Sequence, residues 1–513
     1  MGYDERRKNM NVNYKLKKAA AYMKHYGPEK LAKKAIGKLM DRDDYGTGYT
    51  QLVPGEEELF YQRSRHFEKM PLISILVPVY NPPRTYFKEM LLSVLNQTYF
   101  HWQLCLVDAG TNKLRGLVEE LVDGDERVCY KEIDNAGIAG NTNEALKMAR
   151  GEYIALLDND DTLSPDALYH IVEMINAEEA DCLYSDEDKM DAEGKKYFCP
   201  HIKPDYNPVL LQSNNYICHL FAVKTSLARK VGGFDSEYDG AQDYDFILKC
   251  TEKAERVSHV KRVLYHWRTH ESSTSANPMS KMYAYEAGKK AIEAHLCRVG
   301  KKGSVKMLDD MGFYRVDYEE GNADDNADGG LPGVQIVVTG VRNSEKAQNY
   351  FRYIRNNTLY DNLKLCAMGE PDADRIAGCE CDYICVLNGG TKMSDKKWLF
   401  KLIACAENEN ADAVAAKLLV KQAFPLCEAV NRTFIVYSGD DYIDAFGRQR
   451  TSAGKPEWYK GNFNRNILQC NVRTVPKNAV LLRREEYMRL IAEKWVSGED
   501  AVYVYEPGVE LYR

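Results

Sequence analysis

Three carboxylates crowd into four positions of the chain, directly after an apolar segment. Residues 154–157 predict the end of a buried strand, and Asp158, Asp160 and Asp161 follow at once. Carboxylates this close repel, and each raises the pKa of its neighbours unless a cation lies among them. Such oxygen ligands suit Mg²⁺ or Mn²⁺, which proteins bind through one or two carboxylates together with substrate phosphates. The structural alternative is an Asx-rich turn that caps the next helix at Ser164.

Four apolar segments predict the strands that deliver these acids. They cover residues 72–81, 103–107, 128–133 and 153–157, and amphipathic segments typical of helices separate them. Alternating strands and helices predict a doubly wound α/β sheet, which binds ligands beyond the carboxyl ends of its strands. One crevice is therefore expected at these ends. The residues predicted to meet there are Tyr80, Asn81, Asp108, Asp158, Asn159 and Asp160.

No glycine-rich phosphate loop accompanies the strands. The sequence has neither GxGxxG after its first strand nor GxxxxGK[ST] anywhere, which argues against a dinucleotide oxidoreductase and a P-loop kinase. A metal held by carboxylates is the remaining obvious way to bind a diphosphate at this edge.

Size, charge and cysteine usage narrow the class of protein. The 513 residues allow about two or three domains. A net charge of −7 gives no reason to expect a nucleic-acid partner. The 14 cysteines form no CxxC pair, and without a secretory signal in residues 1–14 they are interpreted as reduced thiols of a cytoplasmic protein. No apolar run approaches the roughly 20 residues of a membrane span.

Residues 1–70 are predicted to form a basic helical arm. Gly27-Pro28 separates two short helices, and the second carries lysines around one face and apolar residues on the other. Such a helix could contact an anionic membrane surface peripherally. A solvated arm packed on the main domain is the alternative, and the sequence leaves both open.

Five motifs in order resemble those of family 2 glycosyltransferases. They are VPVYN at 77–81, SVLNQTY at 93–99, Val107-Asp108, NAGIA at 135–139 and LLDNDDTL at 156–163. The resemblance extends from about residue 71 to 300. It implies a catalytic domain of the GT-A fold, a Rossmann-like α/β architecture that uses nucleotide-activated sugars.

The resemblance also implies a donor site. Asp108 corresponds to the acid that hydrogen-bonds the base, although Ala109 stands where the family usually has a second acid. Asp158 and Asp160 match the family's DxD pair: Asp158 would contact the ribose or the metal, and Asp160 would bind the metal directly. Asp161 would cap the next turn. The donor-binding residues implied are Pro78, Tyr80, Asn81, Asp108, Asn135, Gly137, Asn141, Asp158, Asn159 and Arg268.

Motifs further along imply the acceptor side and the base. The GGFD turn that ends at Asp235 precedes Gln242-Asp243, where the family commonly shows Glu-Asp, and Asp243 is assigned as the catalytic base. His219 is expected near the acceptor, with a hydrogen-bonded strand histidine as the alternative. The acceptor or sugar-binding residues implied are Asp186, Glu187, Asp188, His219 and Gln242. A surface hairpin is the alternative for residues 186–188.

Two late histidines are candidates to complete the metal site. His270 is the first choice and His266 the second, while Arg268 between them would meet phosphate oxygens. The alternative is two histidines at a strand edge without a ligand. The predicted cofactor is Mn²⁺ or Mg²⁺.

The second half of the chain repeats part of the first. Residues 301–332 are predicted to be a linker, with the acidic segment GNADDNADGG at 321–330. Residues 383–394 then parallel 153–164 with a one-residue gap, and Asn388-Gly389-Gly390 replaces the acids. Residues 333–513 are therefore predicted to be a degenerate GT-A-like domain, inactive itself and used in packing, acceptor binding or dimerisation. Asp440-Asp441 or Glu499-Asp500 rebuilding a site is the alternative.

These features predict an inverting, metal-dependent glycosyltransferase. It would move a hexose from a UDP- or dTDP-sugar to a growing surface polysaccharide or lipid-linked glycan, as in the branch with bacterial rhamnosyl- and galactosyltransferases. A homodimer is the further partner considered. A non-catalytic glycan- or nucleotide-sugar-binding protein is the main alternative, and a nucleotidyltransferase is the second.

Overall fold

A computed structural model describes most of the chain after residue 53. The described segments are 54–270, 282–319, 330–341, 343–422, 467–496 and 500–512, with residue 498, isolated positions between 23 and 36, and the backbone of short strands between 432 and 450. The described chain divides into two compact units with the boundary between Asp317 and Tyr318. The boundary falls inside the segment 301–332 that the sequence assigned to a linker.

The N-terminal unit contains eleven strands in its described residues. They are β1 (Ile73–Val79), β2 (Trp102–Asp108), β3 (Val128–Glu132), β4 (Tyr153–Leu156), β5 (Thr162–Leu163), β6 (Cys182–Met190), β7 (Tyr197–His201), β8 (Phe221–Lys224), β9 (Val257–Arg268), β10 (Gly303–Met307) and β11 (Tyr314–Tyr318), the last of which ends at the boundary.

Helices connect these strands. They are α1 (Glu56–Ser64), α2 (Arg84–Leu95), α3 (Arg115–Val122), α4 (Gly137–Met148), α5 (Ala167–Glu178), α6 (Pro208–Leu211), α7 (Thr225–Lys230), α8 (Gln242–Thr251) and α9 (Met282–Arg298), with a 3₁₀ turn at Ser236–Tyr238.

The main sheet has the order β3-β2-β1-β4-β8-β6-β9-β5, and β7 pairs with β6. Strands β1 to β4 run parallel to one another, while β8 runs antiparallel to both β4 and β6. The central strands β1 and β2 are almost entirely buried, as a parallel sheet covered on both faces requires. The carboxyl ends of β1, β2 and β4 therefore lie side by side, as the sequence predicted.

A hairpin occupies part of the segment that the sequence assigned to a linker. Strands β10 and β11 pair with each other, and Tyr314 attaches them to the N-terminal unit. Its backbone N–H donates to the Ser213 carbonyl at 2.8 Å, and its hydroxyl donates to the Tyr285 carbonyl at 2.8 Å. Residues 303–318 are thus folded rather than a linker. The acidic segment that begins at Gly321 lies outside the described residues.

The C-terminal unit is a second α/β sheet. Its strands are β12 (Val334–Thr339), β13 (Leu363–Ala367), β14 (Tyr383–Asn388), β15 (Lys392–Met393), β16 (Ala413–Gln422), β17 (Arg432–Tyr437), β18 (Tyr442–Ile443), β19 (Gln449–Arg450), β20 (Cys470–Val472), β21 (Val480–Arg483) and β22 (Tyr503–Tyr512). Its helices are α10 (Ser344–Asn356), α11 (Trp398–Asn408) and α12 (Arg484–Ala492).

The second sheet repeats the topology of the first. The order β13-β12-β14-β21-β16-β22-β15 matches β2-β1-β4-β8-β6-β9-β5, with the same parallel or antiparallel sense at every step. Even the side strand agrees, since β17 pairs with β16 as β7 pairs with β6. The chain therefore holds two GT-A-like α/β domains in tandem.

Strand register aligns the two domains residue by residue. Tyr383 pairs with Arg483 as Tyr153 pairs with Lys224. Further along, Met393 of β15 takes the place of Leu163 of β5, because they pair with the equivalent strands β22 and β9. The spacing from tyrosine to β5 or β15 is the same in both domains, so the repeat needs no one-residue gap.

Several predictions fall on residues that the structure does not describe. Most of the basic arm, the pair Asp440-Asp441 and Glu499 lie outside the described residues. Among the helices of the described segments, none combines the length and the apolar character needed to cross a membrane.

Asp181 and Asp412 occupy equivalent positions in the two domains. Asp181 links the start of β6 to the start of β9, and Asp412 links the start of β16 to the start of β22. Asp181 accepts hydrogen bonds from the backbone N–H groups of Glu255 and Arg256 at 2.6 and 3.2 Å. Asp412 accepts one from the Val502 N–H at 2.8 Å. Both aspartates also offer their carbonyl to the end of the adjacent antiparallel strand.

We expect Asp181→Ala and Asp412→Ala each to lower the free energy of unfolding of its own domain by about 1 kcal/mol, because backbone donors lose their acceptor. Native-state hydrogen exchange, read separately for peptides of β6 and β16, checks this. Unchanged hydrogen-exchange protection of β6 and β16 in these variants would contradict the stabilising role of the two aspartates.

Candidate functional site

The acidic loop after β4 is held to the sheet by its neighbours. The Asn159 side-chain amide donates to the Pro78 carbonyl at 2.8 Å, and the Asp158 backbone N–H donates to the Tyr265 hydroxyl at 3.3 Å. The loop thus sits beside the carboxyl end of β1. Pro78 and Asn159 act here as structural partners of each other.

Asp161 does not cap the next turn, as the sequence had suggested, but fastens the last strand of the sheet. Its carboxylate accepts hydrogen bonds from the Tyr265 hydroxyl at 2.6 Å and from the Arg268 backbone N–H at 2.7 Å. Burial, followed by the nearby charges of Asp160 and Asp158, raises the pKa of Asp161 well above its usual value. The loop therefore concentrates negative charge that a cation would relieve.

Arg268 does not lie free to meet phosphate oxygens. Its side chain is only 1% exposed, and its Nε donates to the Asp160 carbonyl at 2.7 Å. The same guanidinium forms a 2.7 Å ion pair with Glu89 and lies over the Tyr86 ring at 4.6 Å. These contacts hold the acidic loop, and the predicted contact of Arg268 with donor phosphate stays a prediction.

The structure brings together Asp160 and His270, the first-choice metal ligands. The His270 Nε2 lies 2.9 Å from an oxygen of the Asp160 carboxylate, and the imidazole packs on Tyr86 with ring centroids 5.5 Å apart. An imidazole nitrogen beside a carboxylate oxygen is a donor set that Mn²⁺ accepts readily.

His266, the second choice, belongs to a different cluster. Its Nδ1 lies 2.7 Å from the Asp188 carboxylate, and both side chains are buried between β9 and β6. Burial raises the pKa of Asp188, and the contact with His266 opposes that rise. His266 therefore lies with Asp188 in the structure, and its role as the second-choice metal ligand stays a prediction.

A second group of ligand-capable atoms involves His219, which the sequence assigned to the acceptor side. One ligand atom from each of Asp158, Asp161 and His219 lies within 4.8 Å of the others. The His219 ring stacks on Tyr265 at 4.5 Å with an interplanar angle of 13°. Sequence reasoning missed this grouping because His219 is distant from Asp158 in the chain. His219 reaches the acidic loop only because β8, the strand that follows it, pairs antiparallel with β4.

Asp243, the predicted base, lies half-buried at the start of α8. Its carboxylate accepts a 2.9 Å hydrogen bond from the Asn215 side chain. Burial raises the pKa of Asp243, while the nearby His219 ring and the hydrogen bonds oppose the rise. A carboxyl with a raised pKa beside a histidine suits proton transfer near neutral pH. Asn215 was not predicted, and no motif signals it.

Gln242 turns back on its own loop. Its side-chain oxygen accepts from the Gly240 N–H at 2.9 Å, which stabilises the turn before α8. In the structure it therefore supports the helix start that carries Asp243, and its contact with acceptor stays a prediction.

The three acids of β6 are bonded within the protein. Asp186 accepts from the Lys203 backbone N–H and approaches the His259 Nε2, both at 2.8 Å. Glu187 accepts from the Lys203 ammonium at 3.0 Å and from the His219 backbone N–H at 3.3 Å. With Asp188 paired to His266, all three acids are buried. The predicted hairpin is present, since β6 pairs antiparallel with β7, but its acids are not on the surface, and their contact with a sugar stays a prediction.

Lys203 is the cation that makes this arrangement stable. It is 4% exposed, and its ammonium donates to the carbonyls of Ile217 and His219 as well as to Glu187. Burial opposes ionisation of Glu187, but the Lys203 charge and His201 lower its pKa below the usual value. The buried ion pair therefore anchors the segment that carries Asn215 and His219.

Asp108 is fully buried and holds its own loop. Its two carboxylate oxygens accept from the backbone N–H groups of Gly110 and Leu114, each at 2.9 Å, and from the Tyr130 hydroxyl. Asp108 is 0% exposed and its bonds stabilise its own loop, and its contact with the base stays a prediction. Asn81 holds the same loop from the end of β1, since the Asn81 Oδ1 accepts from the Thr111 N–H at 2.9 Å.

The segment before α4 forms a hydrogen-bonded turn. The Asn135 Oδ1 accepts from the Gly137 N–H at 3.1 Å and from the Asn141 amide at 3.0 Å, and Asn141 accepts in turn from the Ala136 N–H. Gly137 has φ +78°, and a Cβ there would lie 2.7 Å from an Asp239 oxygen. These residues shape the turn, and Tyr80, 53% exposed, remains the open side chain at the end of β1.

The residues present suit a divalent cation. Hard carboxylate oxygens with at most one imidazole are typical of Mg²⁺ and Mn²⁺ sites, in which substrate phosphates supply further ligands. Burial together with the nearby charges of Asp160 and Asp158 raises the pKa of Asp161, which gives a physical reason for a cation. Asp160 with His270 and Asp158 with His219 are the pairs able to hold it.

The C-terminal domain keeps the scaffold of this site without its acids. Register places Asn388 at the position of Asp158 and Gly390 at that of Asp160. Counting back from the β14–β21 pairing places Asn478 at the position of His219, and its side chain accepts from the Asn388 N–H at 2.7 Å. An amide pair thus replaces an acid and an imidazole.

Comparison with known proteins identifies a family for part of the chain. Residues 74–230 match the sequence model described as glycosyl transferase family 2. The chain is 33% identical to the protein y4gI of Sinorhizobium fredii over 396 residues, which cover 69% of this chain and 42% of y4gI.

Two further relatives bear names that state an activity or a pathway. The O-antigen biosynthesis protein RfbC of Myxococcus xanthus is 27% identical over 484 residues, covering 87% of this chain and 36% of RfbC. Chondroitin synthase of Escherichia coli is 30% identical over 260 residues, covering 49% of this chain and 37% of the synthase. The chain spans less than half the length of all three relatives.

The buried ion pair beside the site yields a stability prediction. Glu187→Leu should lower the free energy of unfolding by about 3 kcal/mol, because it leaves the Lys203 ammonium buried without its counter-ion. The double variant Glu187→Leu/Lys203→Met should recover much of this loss, and urea denaturation at pH 7 measures both.

The same pair predicts a pH dependence. Since the folded-state pKa of Glu187 is lowered, its contribution is complete above the unfolded-state value near 4.5 and is lost as the pH falls through the lower folded-state value. Wild-type protein should therefore lose more stability than the double variant between pH 5 and acidic pH. Equal losses would contradict an ionised, stabilising Glu187.

Proposed function

We propose that this chain, which belongs to glycosyl transferase family 2 through residues 74–230, transfers a hexose from a nucleoside diphosphate sugar to a growing glycan. The observation that supports this most is the position of His219. One of its nitrogens lies within 4.8 Å of ligand oxygens of Asp158 and Asp161. The segment that carries His219 also reaches Asp243, because the Asn215 side chain accepts from the Cys218 N–H at 3.1 Å and donates to the Asp243 carboxylate at 2.9 Å. The acidic loop and the proposed base thus border one space.

The proposed reaction inverts the anomeric carbon. An acceptor hydroxyl oxygen forms the new bond to the anomeric carbon while the bond from that carbon to the β-phosphate oxygen breaks. Asp243 accepts the hydroxyl proton, and the Asn215 amide orients the carboxylate that receives it. The nucleoside diphosphate leaves with the electron pair of the broken bond.

A divalent cation, when bound, neutralises the negative charge that builds on the leaving diphosphate. The residues that would hold it are Asp160 and His270, with Asp158 beside them. Arg268 and Tyr265 support this site from β9, because both donate hydrogen bonds to the acidic loop. Mn²⁺ and Mg²⁺ both suit these ligands, and we propose one of them as the cofactor.

The relatives support a polymeric glycan as the product. RfbC is named for O-antigen biosynthesis, and the Escherichia coli relative is named a chondroitin synthase. We propose a UDP- or dTDP-hexose as donor and a surface polysaccharide or its lipid-linked precursor as acceptor, with transfer in the cytoplasm. The non-catalytic alternative is less favoured, because Asp158, Asp160 and Asp243 are all present.

The C-terminal domain is proposed to be inactive. Asn388 and Gly390 replace two acids of the loop. The chain passes from α12 to β22 in residues 493–502, whereas α7 and β9 are separated by a segment that contains all of α8 and its Asp243. We propose that this domain contributes acceptor binding or dimerisation.

Substitution of the base tests the proposal. Asp243→Asn should lower kcat for transfer by about 10²–10⁴-fold, because the amide keeps the contact with Asn215 but accepts no proton. The matched control is Glu237→Gln, an exposed carboxylate six residues earlier, which should retain wild-type turnover. Radiolabelled sugar transfer from a panel of UDP- and dTDP-hexoses measures both, and full transfer by Asp243→Asn would refute this assignment.

The repeat offers a second test. Asn388→Ala should leave turnover within about twofold of wild type, whereas Asp158→Ala at the equivalent position should abolish metal-dependent donor hydrolysis. The two variants remove similar volumes from equivalent turns, so a difference between them reports the chemistry of the N-terminal site. A large loss in Asn388→Ala would contradict an inactive second domain.

A further inference from the structure

Tyr265 contacts every member of the group Asp158, Asp161 and His219. We infer that Tyr265 is a positioning residue that holds this acidic loop and the histidine in one arrangement for metal and donor binding. The inference rests on the proposed function, which it deepens by naming a residue outside the family motifs. The inference depends on three contacts of Tyr265 and on the residue at the equivalent position of the second domain.

The three contacts come from one buried side chain. The Tyr265 hydroxyl donates to the Asp161 carboxylate at 2.6 Å and accepts from the Asp158 backbone N–H at 3.3 Å. Its ring stacks on the His219 imidazole with centroids 4.5 Å apart. Since Tyr265 is fully buried in β9, its position is set by the strand and not by the loop. The loop therefore takes its position from Tyr265.

The hydroxyl matters because it links the two halves of the acidic loop. The Asp158 N–H donates to it at the beginning of the loop, and the Asp161 carboxylate accepts from it at the end, so rotation of the loop would break both bonds together. Without this link, the repulsion between the two carboxylates would spread the loop apart. A partner bonded behind a metal ligand typically changes metal affinity or activity by about 10–100-fold.

The second domain separates this role from a merely structural one. Register places Leu511 at the position of Tyr265, because Leu511 pairs with Met393 as Tyr265 pairs with Leu163. The hydroxyl is thus absent where the acids and the histidine are also absent. The residue at the position of Asp161 shows the consequence: Thr391 has a buried hydroxyl with no hydrogen-bond partner among the described residues.

Residues that serve only the scaffold are retained in the second domain. Tyr153 and Tyr383 are equivalent, both are buried, and both hydroxyls are hydrogen-bonded away from the acidic loop. The sheet therefore keeps a tyrosine where packing alone requires one. It loses Tyr265 together with the chemistry, which supports assigning Tyr265 to the site.

The experiment compares Tyr265→Phe with Tyr153→Phe in the full chain. Both remove one buried hydroxyl. The first variant retains a phenyl ring to stack on His219, whereas the second loses only the hydrogen bond from Tyr153 to the Ala180 carbonyl at 2.8 Å. Isothermal titration of MnCl₂ into each protein, with and without UDP, gives the dissociation constant of Mn²⁺. Transfer kinetics give kcat and KM, and thermal melts show whether each variant is folded.

We expect Tyr265→Phe to weaken Mn²⁺ binding by about tenfold or more and to lower kcat, with a melting temperature within about 2–4 °C of the control. Tyr153→Phe should bind Mn²⁺ and turn over as the wild type does. Equal Mn²⁺ binding and kcat in both variants would overturn the inference while the proposed function stands. Wild-type protein that neither binds Mn²⁺ nor transfers sugar would overturn both.

Discussion

The repulsion among three carboxylates in one short loop is the constraint on which this structure depends. Asp158, Asp160 and Asp161 follow a buried strand, so their charges cannot move apart without unfolding the loop from the sheet. The last strand of the sheet opposes the repulsion, since Tyr265 and Arg268 donate to this loop from β9. A site that concentrates negative charge must therefore be supported by a strand far along the chain.

Buried charge pairs extend this support to the segment that carries Asn215 and His219. The Glu187–Lys203 pair anchors the segment that ends at His219, and Asp188 orients His266. Burying a charge is costly unless a partner of opposite sign accompanies it, so each of these acids has a basic neighbour. The acids of β6 thereby serve geometry, and the acids of the loop and of α8 remain available for chemistry.

The two domains share one topology with different residues at the strand ends. Strand order and strand direction agree along the path that the two sheets share. Asp181 and Asp412 link the starts of equivalent pairs of strands. Amides and glycine replace the acids, and no counterpart of α8 fits between α12 and β22. Stability of an α/β sheet comes from its buried strands, so the residues at the strand ends can change without loss of the scaffold.

The sequence alone determined the α/β class, the tandem repeat and the acidic loop, because hydrophobic periodicity and local motifs depend on neighbours in the chain. Only the tertiary structure decided which polar residues share a site. It showed Asp108, Arg268 and the acids of β6 bonded within the protein, and it brought His219 to the loop. These outcomes depend on pairing between strands that are distant in sequence. The residue type of a carboxylate is the same whether it binds a ligand or stabilises a loop, so the sequence alone does not distinguish the two.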